Sequence, residues 1–350
     1  MKQIRRRILA TLGAGMLLLS AAAAESPEPG ETVPDGETAS AETEELWHLD
    51  DKGFLTGENP GEAYLLEDEE NGFWQYATAD LSIRITRFEE PAGKRISHLY
   101  CVAEVYASEK SPLFTIMTPG SEKRPGGYSP FVLPERLVQR NPVMLAMSDD
   151  YYGYRQYQLD RKKATWPPGI ILRNGEIFYT QTRDSSKKRN FPPMDTLAVY
   201  RDGSMKARIC DELTAEEYLA DGALQVFSFG PWLIRDGKAN EDVLYPKKND
   251  IMKKNNPRAV MGMVEPFHYI LMVVGVPNAE QYVGVSGEWL ISKLLEYGCT
   301  EALNLDGGGT ACMIFNGKTI IQGRWIREKR ALGSMIAFGD LQQDESGTAE

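Results

Sequence analysis

The feature that most constrains this chain is the way its apolar residues fall into short runs, each closed within a few positions by Gly, Pro, Asn or Asp. Short runs rich in β-branched and aromatic residues read as strands, because a helix needs a longer unbroken 3.6-residue pattern to bury a useful face. Leu81 to Phe88, Leu99 to Tyr106, Val143 to Met147, Gly169 to Leu172, Glu176 to Thr180, Thr196 to Tyr200 and Leu224 to Phe227 are runs of this kind. Asn174-Gly175 and Asp202-Gly203 carry the two-residue hairpin signal, which Asp236-Gly237 and Asn316-Gly317 repeat. Tyr269 to Val276 is nearly all apolar, as in a central strand covered on both faces.

Two segments read as helices. Thr214 to Ala220 opens with Thr-Ala-Glu-Glu, a capping box in which Thr214 and Glu217 satisfy each other's free backbone N–H groups, and Gly222 closes it. Ser286 to Tyr297 starts with a serine cap, places Leu290, Ile291, Leu294 and Leu295 on one face and ends at Gly298. Strands are expected again at Ala302 to Leu305, Ala311 to Phe315 and Lys318 to Ile321. Few helices among many strands predict an α+β fold, a single strand-rich domain with a mixed sheet and a few packed helices.

Composition narrows the class. With 42% hydrophobic and 25% charged residues, the 350-residue chain has the average of a soluble globular protein, which excludes collagen-like, disulfide-scaffold and polytopic membrane proteins. Its net charge of -11 is unevenly spread. Residues 1–24 carry four bases and no acid, residues 25–70 carry sixteen acids and one base, and the remainder carries equal numbers of both. The body therefore has no broad basic footprint, and no nucleic-acid partner is expected.

Arg5-Arg6-Arg7, the apolar run Ile8 to Leu19 and the small residues Ala22-Ala23-Ala24 read as a signal peptide over residues 1–24. Residues 25–72 read as an acidic disordered spacer, with Trp47 as the earliest alternative start of the fold. Residues 73–340 are expected to form the domain and 341–350 a disordered tail. No later apolar stretch has bilayer-spanning length, so a secreted or cell-envelope location without an integral segment after signal cleavage is expected. The oligomeric state is open at this stage.

Several familiar sites are absent from the sequence. It has no G-x-S-x-G elbow, no H-E-x-x-H and no dinucleotide fingerprint after a strand. His48, His98 and His268 are scattered, and Cys101, Cys210, Cys299 and Cys312 lack metal-site spacing. The cysteines read as small buried apolar side chains, with no bridge expected.

The strongest motif is Asn304-Leu305-Asp306-Gly307-Gly308-Gly309-Thr310. A strand delivers an amide and a carboxylate, then breaks into three glycines whose backbone can approach a ligand closely and turn N–H groups toward an anion. By spacing alone, a glycine-rich turn between two strands fits as well.

At this heptapeptide the chain resembles the phosphodiester glycosidase family, and the likeness continues elsewhere. Leu145 to Tyr152, containing Ser148-Asp149-Asp150-Tyr151, is similar to the family's Asn-Gly-Asp-aromatic segment, with Ser148-Asp149 standing where Asn-Gly is usual. Ile171 to Gly175, which includes Arg173, resembles the hairpin that follows. Phe227-Ser228-Phe229-Gly230-Pro231 resembles the family's Ser-Phe-Gly-Pro stretch, and Asn256-Pro257-Arg258-Ala259 its Pro-Arg-Thr, with Ala259 in place of threonine. Arg330 matches an arginine near the domain end. Together these segments span roughly residues 80–340 in the family's order.

The resemblance implies a hydrolase that cleaves the sugar-phosphate bond of a glycosyl-1-phosphodiester, here in an extracellular, exopolysaccharide or envelope glycan. Such cleavage passes through an oxocarbenium-like state that needs a carboxylate beside the anomeric carbon, while guanidinium forks suit the phosphate. Asp306 and Asp150 are the expected carboxylate pair, with Arg258 as the third catalytic residue, directed to the phosphate. Asn304, Gly307, Gly308, Gly309, Thr310, Arg330, Ser228, Gly230, Arg173 and Tyr151 are expected to bind substrate or phosphate. No cofactor is expected, although Asp149, Asp150 and Asp306 suit a hard divalent cation if they converge. The expected partner is a glycan or sugar phosphate. A second reading from another class is a carbohydrate-phosphate binding module in envelope polysaccharide assembly that uses the same residues without turnover.

Overall fold

The computed structural model describes residues 47–118, 132–150, 169–180, 192–248, 250–324 and 330–340. The expected signal peptide, the first part of the spacer, the tail and Tyr151 lie outside the described residues.

Within the described residues the strands form three sheets, and every pairing between named strands is antiparallel. The first sheet runs in the order β1 (Tyr64–Asp68), β2 (Phe73–Ala77), β3 (Ser82–Pro91), β4 (Ser97–Tyr106), β15 (His268–Gly275), β14 (Arg258–Glu265), β16 (Glu301–Asn304), β12 (Trp232–Arg235) and β13 (Lys238–Ala239). The second is β10 (Met205–Arg208), β9 (Asp195–Tyr200), β11 (Ala223–Phe229), β7 (Ile171–Arg173) and β8 (Glu176–Tyr179). The third is β18 (Lys318–Gln322), β17 (Cys312–Phe315), β6 (Val143–Ser148), β19 (Ser334–Asp340) and β5 (Phe114–Met117).

The hairpins form where the dipeptides stand. Both residues of Asn174-Gly175, Asp236-Gly237 and Asn316-Gly317 have positive φ, whereas in Asp202-Gly203 only the glycine does. The two expected helices are also present. In α2 (Ala215–Ala220) the Thr214 hydroxyl accepts from Glu217 N–H and the Glu217 carboxylate accepts from Thr214 N–H. In α4 (Gly287–Glu296) the Ser286 hydroxyl accepts from Trp289 N–H. Two further short helices are α1 (Pro134–Arg140) and α3 (Glu241–Leu244).

Alternation along the strands decides the layers. Ile83, Ile85, Ala103, Met261, Leu271 and Leu303, on one face of the nine-stranded sheet, form the main core with Leu197 and Phe227 of the second sheet and Met147, Phe315 and Phe338 of the third. The opposite face, through Val260, Ile270 and Met272, packs on Leu290, Ile291 and Leu294 of α4. The outer faces of the smaller sheets are covered by Leu137 and Val138 of α1 and by Ala215 and Tyr218 of α2. Every residue of β15 is buried, as its unbroken apolar run requires.

Two expectations change. The architecture is mostly β, so α+β fits only roughly, and the expected mixed sheet is replaced by antiparallel ones. The reason is that tight hairpins supply most connections, and hairpins join antiparallel neighbours. The expected disorder up to residue 72 is also too long. Leu49 bridges to Leu55, β1 pairs along β2, and the Trp47 and Tyr64 rings meet edge-on at 5.5 Å. The acid-rich composition of this stretch masked the few apolar residues that dock it.

Candidate active site

Three sheets bring their strand ends to one corner. The end of β6 carries Ser148-Asp149-Asp150, β11 ends beside Ser228, β16 ends at Asn304, and β17 and β19 begin just after Ala311 and at Ser334. Hydrogen bonds tie these ends together. Ser148 Oγ accepts from Cys312 N–H at 3.1 Å, and Ser334 Oγ donates to Asp149. Gly230 N–H donates to Asn304 O at 2.9 Å, while Asn304 Nδ2 donates back to Gly230 O at 2.8 Å. The Asn304 side-chain oxygen, Oδ1, is buried with no hydrogen-bond partner among the described residues.

Asp150 is wholly buried. One of its oxygens meets Arg173 Nη2 and the other accepts from Ser228 N–H. The same Nη2 lies 3.4 Å from Asp149, and Nη1 donates to Val226 O at 2.6 Å and Leu172 O at 3.1 Å. The guanidinium also lies over the Phe227 ring at 4.5 Å. A buried cation with two carboxylates and two carbonyls around it is an internal brace, because each charge compensates the desolvation of the others. The Ser148-Asp149 departure from the family pattern is thereby accounted for: the serine caps β17, and the extra carboxylate shares Arg173 and Ser334.

The triglycine loop forms the other wall. Leu305 N–H donates to Ala259 O at 2.8 Å and Gly308 N–H to Pro257 O at 3.0 Å, so the loop is stitched along the start of β14. Thr310 N–H donates to Gly307 O at 3.2 Å, and Arg330 Nη1 donates to the Thr310 hydroxyl at 3.1 Å, which brings a guanidinium to the loop. Asp306 is 7% exposed, against 1% for Asp149 and 0% for Asp150, so it is the acid of the corner that solvent reaches best.

The close approach is mandatory at Gly323, where a Cβ would sit 1.9 Å from Gly308 O. Changing Gly323 to Ala is expected to push the triglycine backbone aside, at a cost of about 1–3 kcal/mol. Urea unfolding measures that cost, and an unchanged midpoint would show that the loop does not rest on Gly323.

Two arginines lie elsewhere than expected. Arg258 shares the face of Val260, beneath α4, and its Nη2 donates to Ile251 O and Lys254 O at 3.0 Å each, with Nε to Val285 O at 3.3 Å. Burial lowers its pKa to about 10, opposed by Asp250. It therefore holds the 251–254 turn, and the expectation that it faces a phosphate is corrected. Arg173 is likewise consumed by the brace, so its expected phosphate contact is replaced by Asp149 and Asp150. Ser228 is wholly buried with its hydroxyl donating to Ile170 O, and Gly230 packs on Asp195, so both shape the corner from within. Among the described residues no group of three or more His, Cys, Asp or Glu side chains is placed to hold a metal ion. The four cysteines are free and buried.

Asp195 was missed in the sequence. It starts β9 behind Gly230, and the only signal for it is Pro192-Pro193 ahead of an apolar strand. Burial raises its pKa to about 6, although Trp232 and Cys210 N–H groups hold the charged form back toward lower values. A carboxyl with a raised folded pKa binds its proton more tightly when folded, so its contribution is complete below the unfolded value near pH 4 and is lost as pH climbs through 6. Stability of Asp195→Asn relative to the parent is therefore expected to improve between pH 4 and pH 7 by up to ~3 kcal/mol. Urea titrations of both proteins at the two pH values measure it; a constant difference would refute the assignment.

Comparisons with known proteins agree with this architecture. The chain is 24% identical over 158 residues to the SPβ prophage-derived uncharacterized protein YomE of Bacillus subtilis (strain 168), a match covering 44% of this chain and 23% of that protein's length. Its fold is like that of the zebrafish N-acetylglucosamine-1-phosphodiester α-N-acetylglucosaminidase catalytic domain, auto-inhibited by its pro-peptide. The TM-score is 0.52 at 16% identity, covering 75% of this chain and 84% of that one. The family model described as phosphodiester glycosidase matches residues 142–339. Since that span is more than half of the chain and contains every strand that meets at the corner, the chain belongs to the phosphodiester glycosidase family.

Proposed function

We propose that this protein hydrolyses the bond between the anomeric carbon and the phosphate oxygen of a glycosyl-1-phosphodiester, in a glycan outside the cytoplasmic membrane. The observation that carries this reading is the meeting of Asp306, the triglycine backbone and Arg330 at one corner, braced from behind by Asp150 and Arg173. Asp306 sets negative charge against the anomeric carbon as positive charge develops there. Arg330 and the N–H groups of Gly307 and Gly309 receive the phosphate, whose second ester oxygen carries the rest of the substrate. The sugar C1–O bond breaks, the electron pair leaves with the phosphate monoester, and water adds its oxygen to C1 and gives up one proton, which ends on the released phosphate. A phosphate monoester is a good leaving group, so charge neutralisation takes the place of a strong proton donor.

The likeness to an enzyme whose name specifies a sugar-1-phosphodiester supports the reaction class. The basic, apolar, small-residue order of residues 1–24 supports export. The test is incubation with a methyl phosphodiester of a sugar 1-phosphate. Free reducing sugar and methyl phosphate in equal amounts are expected. Saturable binding with no release would instead assign a carbohydrate-phosphate binding module that uses the same residues without turnover.

A further inference from the structure

A cavity of about 700 Å³ lies between two sheet edges, β5 of the third sheet and β8 of the second. We propose that it is a subsite for neutral sugar units of the substrate glycan; this rests on the hydrolase reading.

Its lining has the chemistry of a pyranose site. Phe114 and Phe178 are partly buried and present apolar rings, while Arg140, Glu176 and Asp340 are exposed at the rim. Apolar rings with a few fixed polar groups bind a sugar through its C–H face and its hydroxyls. Thr118, 1% exposed, also lines the cavity, and its hydroxyl is buried with no hydrogen-bond partner among the described residues. A buried hydroxyl left alone costs free energy, and a ligand hydroxyl would relieve it.

Charge selects the class of ligand. Glu176 and Asp340 balance Arg140 and Arg173 in this lining, and the Arg173 charge is already held by Asp149 and Asp150, so no cation is left over for a polyanion; the phosphate belongs at the corner and uncharged sugars along the groove. Two residues place the cavity beside the corner. Arg173 lines the cavity and braces Asp150, and Thr118 N–H donates to Gly333 O, next to the Ser334 that holds Asp149. The walls are firm as well: Asn174 and Thr115 exchange side-chain to backbone hydrogen bonds at 2.9 and 3.0 Å across the gap, and Gln225 secures both.

The experiment titrates the full chain carrying Asp306→Asn with cellotetraose, maltotetraose and chitotetraose by calorimetry. At least one is expected to saturate at about millimolar concentration, the usual range for a few stacked sugar rings. Phe178→Ala is expected to weaken that binding roughly tenfold, and Thr118→Val, which keeps the volume, to weaken it severalfold. Tyr245→Ala, at an exposed ring beside a different cavity, leaves it unchanged. Inorganic phosphate does not compete, because its place is at the corner. Failure of all three sugars to saturate, displacement by phosphate, or sensitivity to Tyr245→Ala in place of Phe178→Ala and Thr118→Val would overturn the subsite. Lack of sugar release from the methyl phosphodiester by the parent, with tetrasaccharide binding intact, would overturn the hydrolase reading alone.

Discussion

Asp306→Asn is expected to lower sugar release from a glycosyl-1-phosphodiester by at least about a thousandfold while leaving the unfolding midpoint near that of the parent. The substitution keeps the shape of the side chain and removes its charge, so it removes stabilisation of positive charge at the anomeric carbon without opening a cavity. The contrast with Asp150 makes the experiment discriminating. Asp150 is wholly buried between Arg173 and the Ser228 amide, so Asp150→Asn strips a counter-charge from a buried guanidinium and lowers stability first. A functional loss without a stability loss at Asp306, set against a stability loss at Asp150, would separate the acid that meets substrate from the acid that holds the wall. Turnover at the parent rate in Asp306→Asn would remove Asp306 from the reaction.

Arg173→Met is expected to be the most destabilising single change in the corner, costing about 3–5 kcal/mol. It strands Asp149 and Asp150 beside each other, both essentially out of solvent, and removes the donor to Val226 O and Leu172 O. Against a total stability of about 5–15 kcal/mol for a folded domain, a loss of that size brings the protein close to unfolding. Added salt gives little protection or harm, because ions do not screen a pair this deeply buried. Combining Arg173→Met with Asp149→Asn and Asp150→Asn recovers much of the loss, since no uncompensated charge then remains. Urea unfolding of the parent, single and triple variants measures all three quantities, and a single variant within about 0.5 kcal/mol of the parent would refute the brace.

Much of the fold was legible locally. The Asn-Gly and Asp-Gly hairpins, the Thr214 capping box, the Ser286 cap and the fully buried β15 depend on residues within a few positions of one another, and each stands where its residues predict. The heptapeptide ending in Thr310 was legible in the same way, because its break from strand to glycines is a property of the segment itself. The end of the acidic spacer was harder to read, since Trp47, Leu55 and Tyr64 take their places only against residues of the folded body.

The site divides along the same line. The sequence by itself determined the chemical inventory: a carboxylate before three glycines, a second acid at the end of a strand, and arginines downstream. Only the tertiary structure decided which guanidinium faces which acid. Arg258 adjoins the triglycine loop through its backbone, yet strand alternation turns its side chain under α4 to cap carbonyls. Arg173 is turned inward onto Asp150, and Arg330 reaches Thr310. Asp195, Ser334 and the cavity between β5 and β8 had no signal strong enough to find them. The physical reason is that a turn or a cap is settled by neighbours along the chain, whereas burial and charge pairing at this corner are settled by strand ends from three sheets, brought together from distant parts of the sequence.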